Sequence, residues 1–524
     1  MQSIVNNQLE KEQKFRENLY ARGFLLSNAD IDHRLFPFIG SWNMEQIGQV
    51  TLYVSPKQRY VTFYGDNATF ILVGHAYNPF TKMDNESEIL WGLDNHVVNR
   101  DFEPLFDAVN ELTGVFTLLW IIDGTIYVIG DASGMQTTFY TNNRELFYVS
   151  SHTNLLGEIL NLKWDPYVER LTQYRFFKLL GNSLPGDLTQ FSTVKRLVPN
   201  HFISFSNKKW ECKRFYWPKS LDISYEEILN RCIEIMQNNV SLISKKWDKP
   251  AISMTGGCDS KTTLASAKGL YDKFSYFSYI SSESERVDAE AAHKICERLK
   301  LKHKVFVIPD HDEDVPCVEE TRKILRWNTG NIRDSNPNDV RKRAWFAENW
   351  PYDVEVKSWA SEIGRAYYSK RFHNRVNFGK KPTPRRCTTL YKFFLHNRKL
   401  VKETDRIFSD YLSNYFEQSP DRPLPWQEQF FWEFRVPSWN GLVITGEHRY
   451  SFDITIPYNN RKLFELLLSV PLQARIEDRL YKDMRERMNP EIDKTGVFIT
   501  NVKHTERRAQ LEDIYWLLHA NIVF

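Results

Sequence analysis

The chain reads as an α/β and α+β protein in two parts: a sandwich of mixed β-sheet with helices on its faces, then a doubly wound parallel sheet. Three observations predict this. The first stretch, to about residue 215, is dominated by short runs rich in β-branched and aromatic residues, separated by polar turns. From Ser224 the pattern changes to long amphipathic helices alternating with short apolar strands. At 524 residues the chain also exceeds what one ordinary core organises.

In the first part, strands are predicted at Gln49 to Val54, Tyr60 to Tyr64, Ala68 to Val73 and Gly114 to Ile122, with turns at Asp123-Gly124 and Asn142-Asn143. Helices are predicted over Glu86 to Leu93, Phe102 to Leu112 and roughly 155 to 180. The change of pattern sets a boundary near Trp217-Pro218-Lys219-Ser220. Beyond it, Tyr225 to Lys245 has helical spacing, with Ser224 as its cap and Glu227 three residues on. A strand Ala251 to Met254, a Gly-rich turn, a helix from about Ser260 to Tyr271, a strand Phe274 to Ile280, a helix Asp288 to Leu299 and a strand Lys304 to Ile308 complete a β-α-β-α-β alternation.

Composition excludes several classes of function. Hydrophobic residues make up 42% and charged residues 26%, a globular profile. With 69 basic against 66 acidic residues, the near balance argues against a protein that binds nucleic acid over its whole surface. The most apolar run, Gly114 to Ile122, falls short of the ~20 residues of a spanning helix, and Met1 to Arg22 is too polar for a secretory signal, so no membrane is expected and a cytoplasmic location is. Six cysteines, at 212, 232, 258, 296, 317 and 387, show no metal or redox spacing and read as isolated reduced thiols.

The chemistry centres on Thr255-Gly256-Gly257-Cys258-Asp259-Ser260, where a strand ends and a helix begins. The glycines permit a tight turn and close approach to a ligand. The helix start offers unpaired N–H groups and the positive end of a dipole, which favour phosphate. Hydroxyls at Thr255 and Ser260 add donors. An acid at Asp259 would repel a bare phosphate, and makes sense with Mg²⁺ between the two. The spacing differs from the GxxxxGK[ST] phosphate loop.

This loop resembles the S-G-G-x-D-S loop of the ATP pyrophosphatases, which cleave ATP to AMP and pyrophosphate, with Thr255 for the first Ser. Asp288, Ala292, Leu299 and His303 resemble the following helix and strand of the asparagine synthetase family. Upstream, Gly114 to Trp120, Ile129-Gly-Asp131-Ala-Ser-Gly134, Phe139-Tyr140, Phe147 to Ser151 and Thr193 to His201 look like that family's class II amidotransferase half. The resemblance implies an extension over 1–34, an Ntn-type αββα amidotransferase-like sandwich over 35–217, with its first strand at Leu35 to Trp42, and an ATP pyrophosphatase domain with extra C-terminal helices over 218–524.

The family's amidotransferase half uses an N-terminal Cys as nucleophile. This chain begins Met1-Gln2, its first cysteine is Cys212, and Val73-Gly74 stands where the family has Asn-Gly for glutamine. Glutaminase activity is therefore expected to be lost, as in β-lactam synthetase and the lasso-peptide cyclases, which use an amine within the substrate. Self-processing at Gly40-Ser41 to expose a serine is the exception to that expectation.

The resemblance further implies ATP and Mg²⁺ as cofactors. ATP-binding residues are Ser253, Thr255, Gly256, Gly257, Asp259, Ser260 and Tyr279. Asp259 and Glu362 hold the metal, Glu362 standing one residue beyond Ser361, where the family has its Asp. Lys482 neutralises the pyrophosphate, although the family's Lys aligns with Tyr481, and the amine-deprotonating acid of the family falls near Ser358. Glu362 and Lys482 are thus the catalytic candidates. Implied partners are a small-molecule or peptide substrate carrying a carboxylate and an amine, and a leader peptide or biosynthetic partner protein. From Ile363 to Lys402 stand twelve Lys/Arg and no Asp or Glu, read as a solvated surface or as a basic loop recruiting an acidic substrate or leader peptide. A glutamine-hydrolysing asparagine synthetase and a non-catalytic scaffold are the alternatives.

Overall fold

The computed structural model describes residues 17–32, 34–36, 38–98, 101–141, 145–177, 183–372, 379–391, 397–497 and five positions between 510 and 518. Two six-stranded sheets form the first part. In spatial order the first runs Val194–Arg196, Phe139–Thr141, Tyr148–Ser150, Phe24–Ser27, Val50–Val54, Asn43–Ile47. The second runs Lys209–Arg214, His201–Ser206, Thr125–Gly130, Thr113–Ile122, Thr69–Tyr77, Tyr60–Tyr64. Alternation along each strand builds the layers. Phe24, Leu26, Leu52 and Val149 of one sheet meet Ile71, Val73, Leu119 and Val128 of the other in a shared core. Leu118 and Trp120 point the opposite way, toward the helices Glu86–Asp94 and Glu103–Asn110. On the far face of the first sheet, Leu25 and Tyr53 pack with Leu155 and Leu156 of the helix Thr153–Ile159. The layers therefore run helix, sheet, sheet, helix.

Three local expectations differ. The described residues of Leu35 to Trp42 form no strand: they turn and hold a short 3₁₀ segment, Ile39–Ser41. The strand near that point is Phe24–Ser27, within the stretch assigned to an extension, and it sits inside the first sheet between Tyr148–Ser150 and Val50–Val54. Residues 155 to 180 are not one helix. Asp165 caps a second helix, Pro166–Gln173, whose first position suits a proline, and 178–180 lie outside the described residues. Asp123-Gly124 is a tight hairpin turn with positive φ at both positions, 48° and 75°; the Asn142-Asn143 turn lies outside the described residues.

The second part holds a five-stranded parallel sheet in the order His303–Val307, Ser275–Ile280, Pro250–Ser253, Val354–Val356, Asp453–Thr455. The helix Tyr225–Lys246 precedes it, capped by the Ser224 hydroxyl, which accepts the Glu227 N–H at 3.1 Å. The helix after the Gly-rich turn is Cys258–Ser266, shorter than expected, and the next, Glu283–Arg298, starts five residues early because Ser282 caps it.

Pro250–Ser253 is flanked by Ser275–Ile280 on one side and Val354–Val356 on the other. The strand order reverses there, and such a reversal opens a crevice at the carboxyl ends of the strands.

The two parts are docked by buried polar contacts. Asn459 Nδ2 donates to the Gly114 carbonyl at 2.7 Å, and Trp432 Nε1 to that of Ala132 at 2.7 Å. Arg214 forks onto Glu433 at 2.6 and 2.8 Å. The Asp131 turn feeds this interface: its carboxylate accepts the backbone N–H groups of Phe116, Ser133, Met135 and Gln136.

Candidate functional site

A cavity of about 480 Å³ opens at the strand-order reversal, lined by the Gly-rich loop and by the segments after the neighbouring strands. The loop organises itself first. The Thr255 hydroxyl accepts the Gly257 N–H at 3.1 Å and lies 2.9 Å from the Ser260 hydroxyl. Ser260 Oγ donates back to the Thr255 carbonyl at 3.0 Å. Asp288 reaches the loop as well, accepting the Gly256 N–H at 3.4 Å. These bonds hold the turn, so the first N–H groups of the helix Cys258–Ser266 point toward the crevice. Ser253, Thr255, Gly257, Asp259, Ser260 and Tyr279 all line the cavity. Gly256 is buried behind them. Tyr279 offers its ring there, with Lys342 Nζ 4.4 Å from the ring centre.

The structure brings Asp259 and Glu362 together, because the strands that precede them are paired neighbours: Ile252 lies opposite Val356. Asp259 begins the helix after one strand, and Glu362 lies in the 3₁₀ turn Ser361–Gly364 after the other. Asp259 Oδ1 and Glu362 Oε2 are buried oxygens without a hydrogen-bond donor among the described residues. Burial pushes both carboxyls up; the Asp259 charge pushes Glu362 further, to about 7, while Arg365 opposes the rise at Asp259. Two adjacent carboxylates with orphaned oxygens beside a phosphate-type loop fit a hard divalent cation. Asp259 and Glu362 would hold it; among the described residues no third acid, histidine or cysteine joins them in a ligand cluster, which suits a cation that completes its shell with phosphate oxygens.

Sequence reasoning missed the cations that brace Asp259 behind this site. Arg365 donates to Asp259 Oδ2 at 2.6 Å and forks onto Asp478 at 2.9 and 2.9 Å. Lys370 meets the same Asp478 at 2.6 Å. Burial alone would raise Asp478; the bonds from Arg365 and Lys370 hold it below its ordinary value. The signal lay in the basic stretch 363–402, whose first two cations fold onto the loop and are neutralised by acids distant in sequence; Arg385 is likewise paired, with Asp405.

Lys482 is not brought to the cavity. It lies on the exposed side of the helix Arg479–Met488. The buried side carries Tyr481, whose hydroxyl donates to the Ser361 carbonyl at 2.7 Å, and Arg485, which reaches Cys258 Sγ at 3.2 Å and Thr262 at 3.1 Å. This helix braces both loops with the residues on either side of the expected lysine. Ser358, near which the family's amine-deprotonating acid falls, bonds Thr263 at 2.7 Å.

The remaining walls were also invisible in the sequence. Successive π-helical turns over Phe431–Arg435, Pro437–Gly441 and Ile444–His448 present Trp439, Val443, Glu447 and His448 to the cavity. Arg333, Lys342, Arg343 and Lys357 line it too. Burial lowers the His448 imidazole far below its ordinary range, and those four cations lower it further, so it is neutral, and its buried Nδ1 is without a partner among the described residues. Three of the cations have carboxylate partners: Arg333 with Glu447, Lys342 with Glu285 and Lys357 with Glu355. The buried Arg343 Nη1 has no hydrogen-bond partner among the described residues. This end of the cavity is suited to an anionic group.

No family model and no curated protein matches the chain. Among solved structures it is similar to a glutamine phosphoribosylpyrophosphate amidotransferase from B. subtilis complexed with ADP and GMP, at 12% identity and TM-score 0.20, over 50% of this chain and 62% of that one, less than two thirds of its length. It is similar to an allosteric regulatory enzyme of purine biosynthesis at 9% identity and TM-score 0.22, over 66% of this chain and 93% of that one. A glutamine-dependent NAD+ synthetase from Acinetobacter baumannii in complex with ADP shares 11% identity at TM-score 0.20, over 62% of this chain and 87% of that one. TM-scores of this size carry no argument about the site.

Proposed function

We propose that the chain is an ATP-dependent, AMP- and pyrophosphate-forming ligase that adenylates a substrate carboxylate and joins it to an amine other than ammonia from glutamine. The observation that carries this reading is the pair Asp259 and Glu362, their free oxygens buried beside a strand-loop-helix phosphate cradle. A divalent cation held by the pair would neutralise charge on the departing pyrophosphate. The chain's own groups do the rest. The helix start at Cys258 and the Thr255 and Ser260 hydroxyls cradle phosphate oxygens. Arg365, 2.6 Å from Asp259 and forked onto Asp478, acts through Asp259 by fixing the carboxylate that would hold the cation. Arg343 receives the anionic substrate, and Tyr279, Trp439 and Val443 on the walls limit the water that reaches the acyl-adenylate.

The sandwich is read as an amidotransferase-like layer without glutaminase chemistry. Arg22 and Gly23, not a cysteine, precede its strand Phe24–Ser27. Cys212 lies on the edge strand Lys209–Arg214, and burial pushes its thiol up to about 12, which leaves it inert as a nucleophile. The substrate class, a small molecule or peptide bearing a carboxylate and an amine, and a leader peptide or partner protein that delivers it, belong to the same proposal.

The test is pyrophosphate release from Mg²⁺-ATP across a panel of carboxylate-bearing small molecules and peptides, with direct titration of ATP binding. The expected result is Mg²⁺-dependent ATP binding that Asp259→Asn abolishes, and pyrophosphate release by at least one substrate. Binding that ignores Mg²⁺ and Asp259→Asn overturns the reading and favours a non-catalytic scaffold. Glutamate production from glutamine would revive the glutamine-hydrolysing alternative.

A further inference from the structure

A second and larger cavity, of about 1060 Å³, lies between the two parts of the chain and shares no lining residue with the phosphate-loop cavity. Its walls come from the helices Glu103–Asn110, Tyr225–Lys246 and Arg461–Ser469 and from the connecting segments around 215–221 and 417–421. The volume is of the size that holds a small organic ligand, far above the ~30 Å³ share of a water.

The lining chemistry has a sign. Seven carboxylates face this space against three cations. One of the three, Arg231, is already paired at 2.5 Å with Glu227, which lies outside the lining. Glu465 is the most enclosed acid, 5% exposed, with the Tyr216 hydroxyl beside it; burial holds its carboxyl up, against the pull of Lys462. Asn110 gives a second, independent indication. It is 3% exposed, and its Oδ1 lies buried in the cavity wall with no hydrogen-bond donor among the described residues. A buried acceptor without a donor costs free energy unless something fills the place. Between the polar groups the wall is apolar: Phe106, Ile235 and Leu466 form the floor, and Phe80 stands at the mouth with 42% of its surface exposed. Carboxylates on a concave, partly apolar surface focus their field and select positive charge.

We propose that this cavity is a second ligand site that takes a small organic cation, an amine- or guanidine-bearing molecule with an apolar stem. Its N–H donors satisfy Asn110 Oδ1 and Glu465, its charge offsets the carboxylate surplus, and its stem lies on the Phe106 and Leu466 surface. Helices from both parts of the chain contribute walls, so an occupant bridges them. The inference does not rest on the ligase reading, because the two cavities have separate linings.

Calorimetric titration of the full chain with spermidine, agmatine and citrate tests it. The cations are expected to bind below about 1 mM and citrate not at all. Glu465→Gln and Asp107→Asn are each expected to weaken the cations about fivefold or more, the loss of roughly one charged contact. Asp107 is exposed, so its variant serves if Glu465→Gln fails to fold. Asp259→Asn, in the other cavity, should leave the cation affinity unchanged. Absence of cation binding to about 10 mM, equal binding of citrate, indifference to both carboxylate variants, or loss of binding in Asp259→Asn overturns the proposal.

Discussion

Replacing Glu362 by Gln should make the metal-free protein more stable at pH 8. The Glu362 carboxyl, ordinarily near 4.5, is held at about 7 by burial and by the Asp259 charge. The folded chain therefore binds this proton more tightly than the unfolded chain does. Below about 4.5 both states carry it and the group is neutral in its effect. Between about 4.5 and about 7 stability falls as pH rises, and above about 7 the full cost is present. A shift of that size corresponds to roughly 3 kcal/mol, a ceiling because one side of Glu362 faces the cavity. Glutamine keeps the shape and cannot ionise. Urea unfolding in EDTA should show the variant more stable at pH 8, with the difference shrinking toward zero at pH 4.5. Millimolar Mg²⁺ should then reverse the order, stabilising the wild type by ligand linkage and the variant little. A variant no more stable at pH 8, or a difference that does not change with pH, would refute the assignment of Glu362 to a charge-strained pair.

Arg365→Ala should lower pyrophosphate release about 100-fold, whereas Lys482→Ala should change it less than about twofold, since only Arg365 touches Asp259. Steady-state kinetics of the two variants side by side distinguishes the structural assignment from the sequence-based one. Gly364→Ala would place a methyl 2.7 Å from Leu467 Cβ and 3.0 Å from the Tyr481 hydroxyl. It should cost about 1–3 kcal/mol in a denaturant titration and disturb the Glu362 turn. Glu433→Ala strands the buried Arg214 guanidinium at the junction of the two parts and should destabilise the chain by about 3–5 kcal/mol, read as an earlier thermal midpoint.

The strand, Gly-rich turn and helix were legible because every signal for them is local: an apolar strand, two glycines, hydroxyls and an acid at a helix start, all within Ala251 to Ser266. The partnership of Asp259 and Glu362 is a property of strand order. Val354–Val356 pairs with Pro250–Ser253 across about a hundred residues, which periodicity within either segment does not reveal. The Lys482 assignment failed on register. Leu480, Tyr481, Met484 and Met488 mark the buried side of that helix at i, i+4 spacing, and a lysine at 482 falls off it. That pattern was available in the sequence and outweighs a motif match displaced by one residue. The strand Phe24–Ser27 was passed over because four residues after a polar leader carry little alternation. The π-helical stretch through His448 has no distinct sequence period, so its cavity-facing residues could not be chosen in advance.

Asp259 joins the two halves of this chemistry. One of its oxygens is taken by Arg365, which is itself fixed by Asp478. The other, beside Glu362, has no donor among the described residues. A carboxylate fully occupied by guanidinium would have no capacity for a cation, and one without it would leave Asp259 with no cation bonded to it, since Lys370 reaches only Asp478. The Arg365 fork keeps Asp478 ionised and holds Asp259 in place, while Glu362 absorbs the remaining electrostatic strain by holding its proton up to about pH 7. A cation brought to those oxygens would displace that proton, so its uptake would be tied to pH through the coupled Asp259–Glu362 pair.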